Sequence, residues 1–146
     1  MGYEILPNIF LGDARDAEFT SHNYALIINC TKNVPFYTTN ANTNTIRIPV
    51  DDSPDYSEQV MIYNYWIDGR IFEAIHTTIQ NNHNILIHCQ MGRQRSAATV
   101  AAYIIYSLNW PLDRTINFIK TKKPDAFFGS VNFQRALQQL EKQITT

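Results

Sequence analysis

Nine consecutive residues, His88-Cys89-Gln90-Met91-Gly92-Arg93-Gln94-Arg95-Ser96, gather an imidazole, a thiol, two guanidinium groups and a hydroxyl. The apolar run Ile85-Leu86-Ile87 before them reads as a buried strand, and the run after Ser96 reads as a helix. A turn that leaves a strand and enters a helix N-terminus aims successive backbone N–H groups inward. Together with the helix dipole they form a cradle for an anion. Phosphate fits such a cradle, and Gln90, Met91, Gly92, Arg93, Gln94 and Arg95 are its expected lining. Gly92 supplies the backbone freedom of a tight turn. Arg95 can grip two phosphate oxygens with its planar fork, which a lysine cannot. Arg93 is either solvent-facing or a reader of extra substrate charge.

Cys89 opens the same cradle, so the field that draws in phosphate favours thiolate over thiol and should lower the pKa of this cysteine. The chemistry that follows is in-line attack of sulfur on a phosphate monoester to give a cysteinyl-phosphate, with the amides and Arg95 stabilising the equatorial oxygens. Ser96 is expected to donate to the sulfur and ease its departure in the hydrolytic half. His88 is expected to orient the loop by hydrogen bonding without transferring protons. The leaving oxygen needs a proton, and the acidic loop Asp51-Asp52-Ser53-Pro54-Asp55 is the best source; the same carboxylate could later activate water. Asp51, Asp52 and Asp55 compete for that role. No metal or other cofactor is needed, and His22, His76 and His83 lack ligand spacing. Cys30 reads as core packing or as a resolving thiol that pairs with an oxidised Cys89.

The elements that must hold these groups follow from the pattern. Strands are expected at Ile5 to Leu11, Tyr24 to Asn29, Thr45 to Val50 and Ile85 to His88, each bounded by Gly, Pro, Asn or Asp. One long helix is expected from Asp55, capped with Glu58 and presenting Val60, Tyr63, Ile67, Ile71, Ala74 and Thr78 on one face, to the Asn81-Asn82 break. A second runs from Ser96 to about Leu108 and is apolar almost all round, which places it inside the fold. A third opens at Pro111 and stops near Pro124; a fourth is capped by Ser130 and repeats Phe133, Leu137, Leu140 and Ile144. Thr31 to Asn44 reads as a surface loop. Strands alternating with helices imply an α/β domain with a largely parallel sheet.

The chain has 146 residues, 12 Lys+Arg against 13 Asp+Glu, and 45% hydrophobic residues. That is enough to bury a core without disulfides or metal, so one domain spanning 1–146 is expected. The near-neutral balance argues against a nucleic-acid binder. No signal-peptide pattern opens the sequence, and the apolar stretch Ala97 to Leu108 is too short to cross a bilayer. A cytoplasmic location with a reduced thiol pool is the expectation.

His88-Cys89-x5-Arg95-Ser96 resembles the signature of the cysteine-dependent protein phosphatases, specifically the dual-specificity branch. Ile5 to Gly12 and Leu26 to Asn29 are similar to that family's first two strands, Ala102-Tyr103-Ile104-Ile105 to its central helix, and Ser130 to Phe133 with Leu137 and Glu141 to its last helix. Ile48-Pro49-Val50-Asp51-Asp52 resembles its general-acid segment, with Asp52 on the acid, which leaves Asp55 as a helix cap and Asp51 as a solvated neighbour. The resemblance implies a central sheet of about five strands flanked by helices. It also implies hydrolysis of phosphotyrosine and phosphoserine/threonine in protein partners. The pattern lacks the Trp-Pro-Asp acid loop and the pocket-deepening loop of the larger tyrosine-specific enzymes, which favours a shallow pocket. Arg93 and Ser96 to Tyr103 also resemble the mitochondrial phosphatidylglycerophosphate phosphatase. That keeps a lipid substrate open, beside an RNA 5′-phosphate or a binding module without turnover.

Overall fold

The protein's structure, a computed structural model, describes residues 2–38 and 40–145. Five short strands form one sheet: β1 (Tyr3–Leu6), β2 (Ile9–Gly12), β3 (Leu26–Asn29), β4 (Asn44–Arg47) and β5 (Ile85–His88), in the order β1-β2-β5-β3-β4. The pairs β2/β5, β5/β3 and β3/β4 are parallel, whereas β1/β2 is antiparallel. The sheet is therefore mixed, a refinement of the largely parallel one expected. The cause is local. Ile5 to Leu11 is not one strand, because Pro7 and Asn8 break it into a hairpin with Leu6 opposite Ile9. Proline has no N–H to give a ladder, and Asn8 takes a left-handed φ of 75° that Asn tolerates better than most residues. Its side-chain amide donates to Asn84 Oδ1 at 3.0 Å, which ties the hairpin to the turn before β5.

Strands β3 and β5 are buried at every position, as parallel strands covered on both faces must be. Helix α4 (Arg95–Leu108) lies in the core, with Ser96 through Ile105 all buried, which fits its all-round apolar sequence. Helices α2 (Tyr56–Asp68), α3 (Ile71–Gln80), α5 (Leu112–Lys122) and α6 (Gln134–Thr145) complete the cover over this side. Helix α1 (Ala14–Thr20) caps a smaller cluster of Ala17, Tyr24, Ile27 and Leu86. Its start is set by a reciprocal capping box in which Asp13 and Asp16 each accept the other's backbone N–H at 2.9 Å.

The single long helix expected from Asp55 is two helices. The break falls at Gly69-Arg70, where Gly69 N–H closes on Tyr65 O at 2.9 Å and Arg70 turns left-handed at φ 57°. A side chain at Gly69 would run into the Tyr65 carbonyl, so only glycine ends α2 this way. Within α2 the buried face is also not the one expected: Ile62, Tyr63 and Trp66 are inside, while Val60 and Ile67 are about 40% exposed. Asp55 precedes α2 but makes no side-chain cap, and the Glu58 carboxylate accepts the Asp51 N–H at 2.7 Å instead. Ser130 likewise does not cap α6; its hydroxyl donates to Asn132 Oδ1 at 2.6 Å, and α6 starts four residues later. The 31–44 segment is not wholly superficial, since Thr31 and Val34 are buried beneath the Asn29 side chain, which donates to Val34 O at 2.7 Å.

Candidate active site

The carboxyl ends of β2, β5 and β3 lie side by side, and in parallel sheets that edge is where ligand-binding loops gather. The loop leaving β5 turns there into α4. It is held from below by Ala14 N–H donating to Gln90 O at 3.1 Å, and Gly92 packs directly on the end of β2. A Cβ at Gly92 would stand 2.8 Å from Gly12 O, and its φ of +69° is one that L side chains avoid, so glycine is required on two grounds.

Cys89 is the first residue after β5 and is only 2% exposed. Its sulfur accepts the Gly92 N–H at 3.3 Å and lies 3.1 Å from Ser96 Oγ, itself wholly buried in the first turn of α4. A backbone amide, a hydroxyl and a helix N-terminus thus converge on one sulfur, an arrangement suited to an anionic nucleophile. Arg95, the first residue of α4, anchors one end of its guanidinium on Val50 O at 3.1 Å, while its buried Nε has no hydrogen-bond partner among the described residues. A buried guanidinium N–H without a partner is costly, and a phosphate oxygen is the partner it suits.

His88, the last residue of β5, is wholly buried, and burial lowers its pKa to about 4, so it is neutral at physiological pH. Its Nδ1 lies 3.4 Å from Cys89 O and its Nε2 has no partner. A neutral imidazole donating weakly to the loop orients it and has no proton to trade at pH 7.

The remaining cradle residues divide. Gln90 and Met91 are exposed. The Gln94 side chain is buried and turned toward the 130–132 segment, donating to Ser130 O at 2.7 Å and accepting the Asn132 N–H at 3.0 Å. Arg93 neither faces solvent freely nor stands alone: its Nε pairs with Asp125 Oδ2 at 3.2 Å, and Lys123 holds the other oxygen at 2.5 Å. Those two cations keep the Asp125 carboxyl below its ordinary range against the opposing effect of burial.

The acidic segment sits beside the cradle through the Arg95 bond to Val50 O. Its three carboxylates have separate surroundings. Asp51 is exposed and pairs with Lys32 at 2.9 Å; Asp55 leads α2; Asp52 accepts the side-chain amide of Asn132 at 2.8 Å. In the sequence, Asn132 enters only through the last-helix resemblance; its bond to Asp52 joins residues 80 positions apart, and only the fold brings them together. Cys30 follows β3 as Cys89 follows β5, and the register that pairs Asn29 with His88 makes the two cysteines neighbours. Its thiol is fully buried, donates to Thr99 Oγ1 at 3.5 Å and has its pKa pushed up to about 12 by burial. Among the described residues no group of three or more His, Cys, Asp or Glu side chains is placed to hold a metal ion.

Against known proteins, residues 9–143 match the family model for the dual specificity phosphatase catalytic domain. Protein 123R of Invertebrate iridescent virus 6, which carries a tyrosine phosphatase name, is 31% identical over 95% of this chain and 91% of its own. Human dual specificity protein phosphatase 16 is 31% identical over 96% of this chain, but the match spans only 21% of that much longer protein. The crystal structure of human DUSP28 superposes over 99% of this chain with a TM-score of 0.84 at 22% identity, a likeness of fold.

Proposed function

The chain belongs to the dual specificity phosphatase family, a family of cysteine-dependent hydrolases, and from that premise we propose that it hydrolyses phosphotyrosine and phosphoserine/threonine monoesters in proteins through a cysteinyl-phosphate intermediate. The observation that carries this reading is the Cys89 sulfur between the Gly92 amide at 3.3 Å and the Ser96 hydroxyl at 3.1 Å, with the unpartnered Arg95 Nε in the same loop. The family match over 9–143 supports treating 1–146 as one catalytic domain. No helix among the described residues is long and apolar enough to cross a membrane; a cytoplasmic location is proposed on the sequence pattern alone, two cysteines far apart that suggest no disulfide framework.

In the first half, Cys89 sulfur attacks phosphorus as the phosphorus–oxygen bond to the leaving group breaks. Arg95 and the loop amides neutralise charge on the equatorial oxygens, and Asp52 gives its proton to the departing oxygen. In the second half water attacks phosphorus, Asp52 takes the water's proton, and sulfur leaves as thiolate assisted by the Ser96 hydroxyl. The product is inorganic phosphate, and enzyme protonation is restored. Asp51 is tied to Lys32 at 2.9 Å, whereas the Asp52 carboxylate is held by Asn132 from the segment that also bonds the cradle residue Gln94, which supports Asp52.

The test is hydrolysis of matched phosphotyrosine and phosphothreonine peptides, a phosphoinositide and a 5′-phosphorylated RNA by the wild type and by Cys89→Ser. Phosphopeptide turnover blocked by vanadate and absent in Cys89→Ser is expected. A more than tenfold preference for the lipid or the RNA over both peptides would replace the protein substrate. Phosphopeptide binding without turnover by the wild type would make the cradle a capture site.

A further inference from the structure

Asn132 lies in the turn before α6, outside the cradle and outside the acidic segment, yet every polar group it owns is engaged. Its backbone N–H donates to Gln94 Oε1 at 3.0 Å, its carbonyl accepts Gln59 Nε2 at 2.7 Å, its Oδ1 accepts the Ser130 hydroxyl at 2.6 Å, and its Nδ2 donates to Asp52 Oδ1 at 2.8 Å. One residue therefore joins the cradle loop, helix α2, the turn before α6 and the acidic segment. Gln59, which is itself buried, is fixed at its other end by the Ala136 N–H at 3.0 Å. An asparagine with no task beyond solvation has no reason to be held by four partners, three of them from segments other than its own.

Building on the assignment of Asp52 as the acid, we propose that Asn132 is the positioning residue of the reaction: it fixes the Asp52 carboxylate relative to the cradle loop, which it also bonds through Gln94, and dictates which oxygen carries the proton. The Ser130 hydroxyl on Oδ1 sets the amide so that Nδ2 faces Asp52. Oδ1 of Asp52 is then occupied as an acceptor, so the proton delivered to the leaving group sits on Oδ2, and Oδ2 recovers it from water. Through Gln94 the acid is referenced to the loop that holds the phosphate, so acid and nucleophile are spaced by the same few bonds. The backbone beneath is fixed as well, Val50 O by Arg95 Nη1 at 3.1 Å and the Asp51 N–H by Glu58 at 2.7 Å.

A positioning role and a packing role part company in the dependence on leaving group. An activated aryl phosphate departs with little help, whereas a phosphothreonine peptide needs the proton. In Asn132→Ala, kcat/KM for the phosphothreonine peptide is expected to fall about tenfold while that for the aryl phosphate falls less than threefold. Donation from an amide favours the ionised carboxylate, so the alkaline limb of the peptide pH profile should also move upward. Asn132→Asp, nearly isosteric, puts a second carboxylate against Asp52 and should move the limb further in the same direction. The charged groups around the segment, Lys32, Asp51, Asp55, Glu58 and Arg95, are unchanged in both variants. Equal losses on both substrates, or an unmoved limb in both variants, would overturn the proposal. Asp52→Asn run alongside separates the two levels: if it slows both substrates equally, Asp52 is not the acid. If it slows the peptide alone and removes the alkaline limb while Asn132→Ala does neither, only the positioning role fails.

Discussion

Two cysteines end two neighbouring parallel strands one register step past the same cross-strand pair, Asn29 opposite His88, and they live in opposite worlds. After β5 the chain turns into a helix N-terminus, and the Cys89 sulfur receives an amide and stands against a hydroxyl. After β3 the chain runs into a loop sealed by Asn29, whose side chain bonds Val34 O, Thr31 N and Thr31 Oγ1. The Cys30 thiol there is itself the donor, and burial pushes its pKa up to about 12. Residue type and strand position are shared; what differs is whether the following turn supplies donors. The surroundings of each thiol belong to the turn that follows it more than to the strand position they share.

The sharpest way to break the comparison is to exchange each sulfur for oxygen. Cys89→Ser should lose at least about ten-thousandfold in turnover of an aryl phosphate, because no weaker nucleophile replaces it within the same cradle. Cys30→Ser, assayed in parallel, should stay within about threefold of wild type. A comparable loss in both would mean that the buried thiol shares the chemistry.

Arg95→Lys keeps the charge and loses the fork. Since one end of the guanidinium is spent on Val50 O, a lysine cannot serve both that carbonyl and the phosphate. A fall in kcat/KM of about a hundredfold or more is expected, with weaker protection by vanadate. Retention of near wild-type rates would show that charge alone suffices.

The pair beneath the cysteines gives a pH test. His88 has its pKa lowered to about 4 by burial, so the unfolded chain binds the proton more readily between roughly pH 6.5 and 4. Stability is present above pH 6.5 and lost as the pH falls, by about 2 kcal/mol between pH 7.5 and 5. Urea unfolding at the two pH values measures it, and His88→Gln should remove most of the difference. An identical pH slope in that variant would refute the linkage.

Cys30 gives the smallest effect, at the other end of the scale. Its folded pKa of about 12 lies above the unfolded value, so the fold keeps the proton and loses stability as the pH rises past about 9. Raising the pH from 8 to 10 should cost the wild type about 1 kcal/mol more than Cys30→Ser, a difference that cancels the alkaline titration of Tyr24 and Tyr103 common to both. No difference would place that thiol in a wetter site.

Much of this was readable in the chain because it is local. Ile85 to Ser96 is contiguous, so strand, turn and helix N-terminus, and with them the anion cradle and its thiol, follow from residue order and backbone geometry. The all-apolar α4 announces its central place for the same reason. The hairpin at Pro7-Asn8 and the break at Gly69-Arg70 were written in turn residues whose weight the apolar periodicity masked.

What the fold alone decided is long-range. Asp52 to Asn132, Arg95 to Val50, Arg93 to Asp125, and Cys30 beside Cys89 join residues 80, 45, 32 and 59 positions apart. No periodicity encodes such separations; they exist only once the sheet has set its strand order and the helices have packed on it. Residue types and their spacing determined that a thiol opens a turn into a helix N-terminus, because a turn's dipoles come from its own backbone. That Asp52 meets the Asn132 amide, and that the acidic segment meets Arg95, depended on the packing that brought distant segments together.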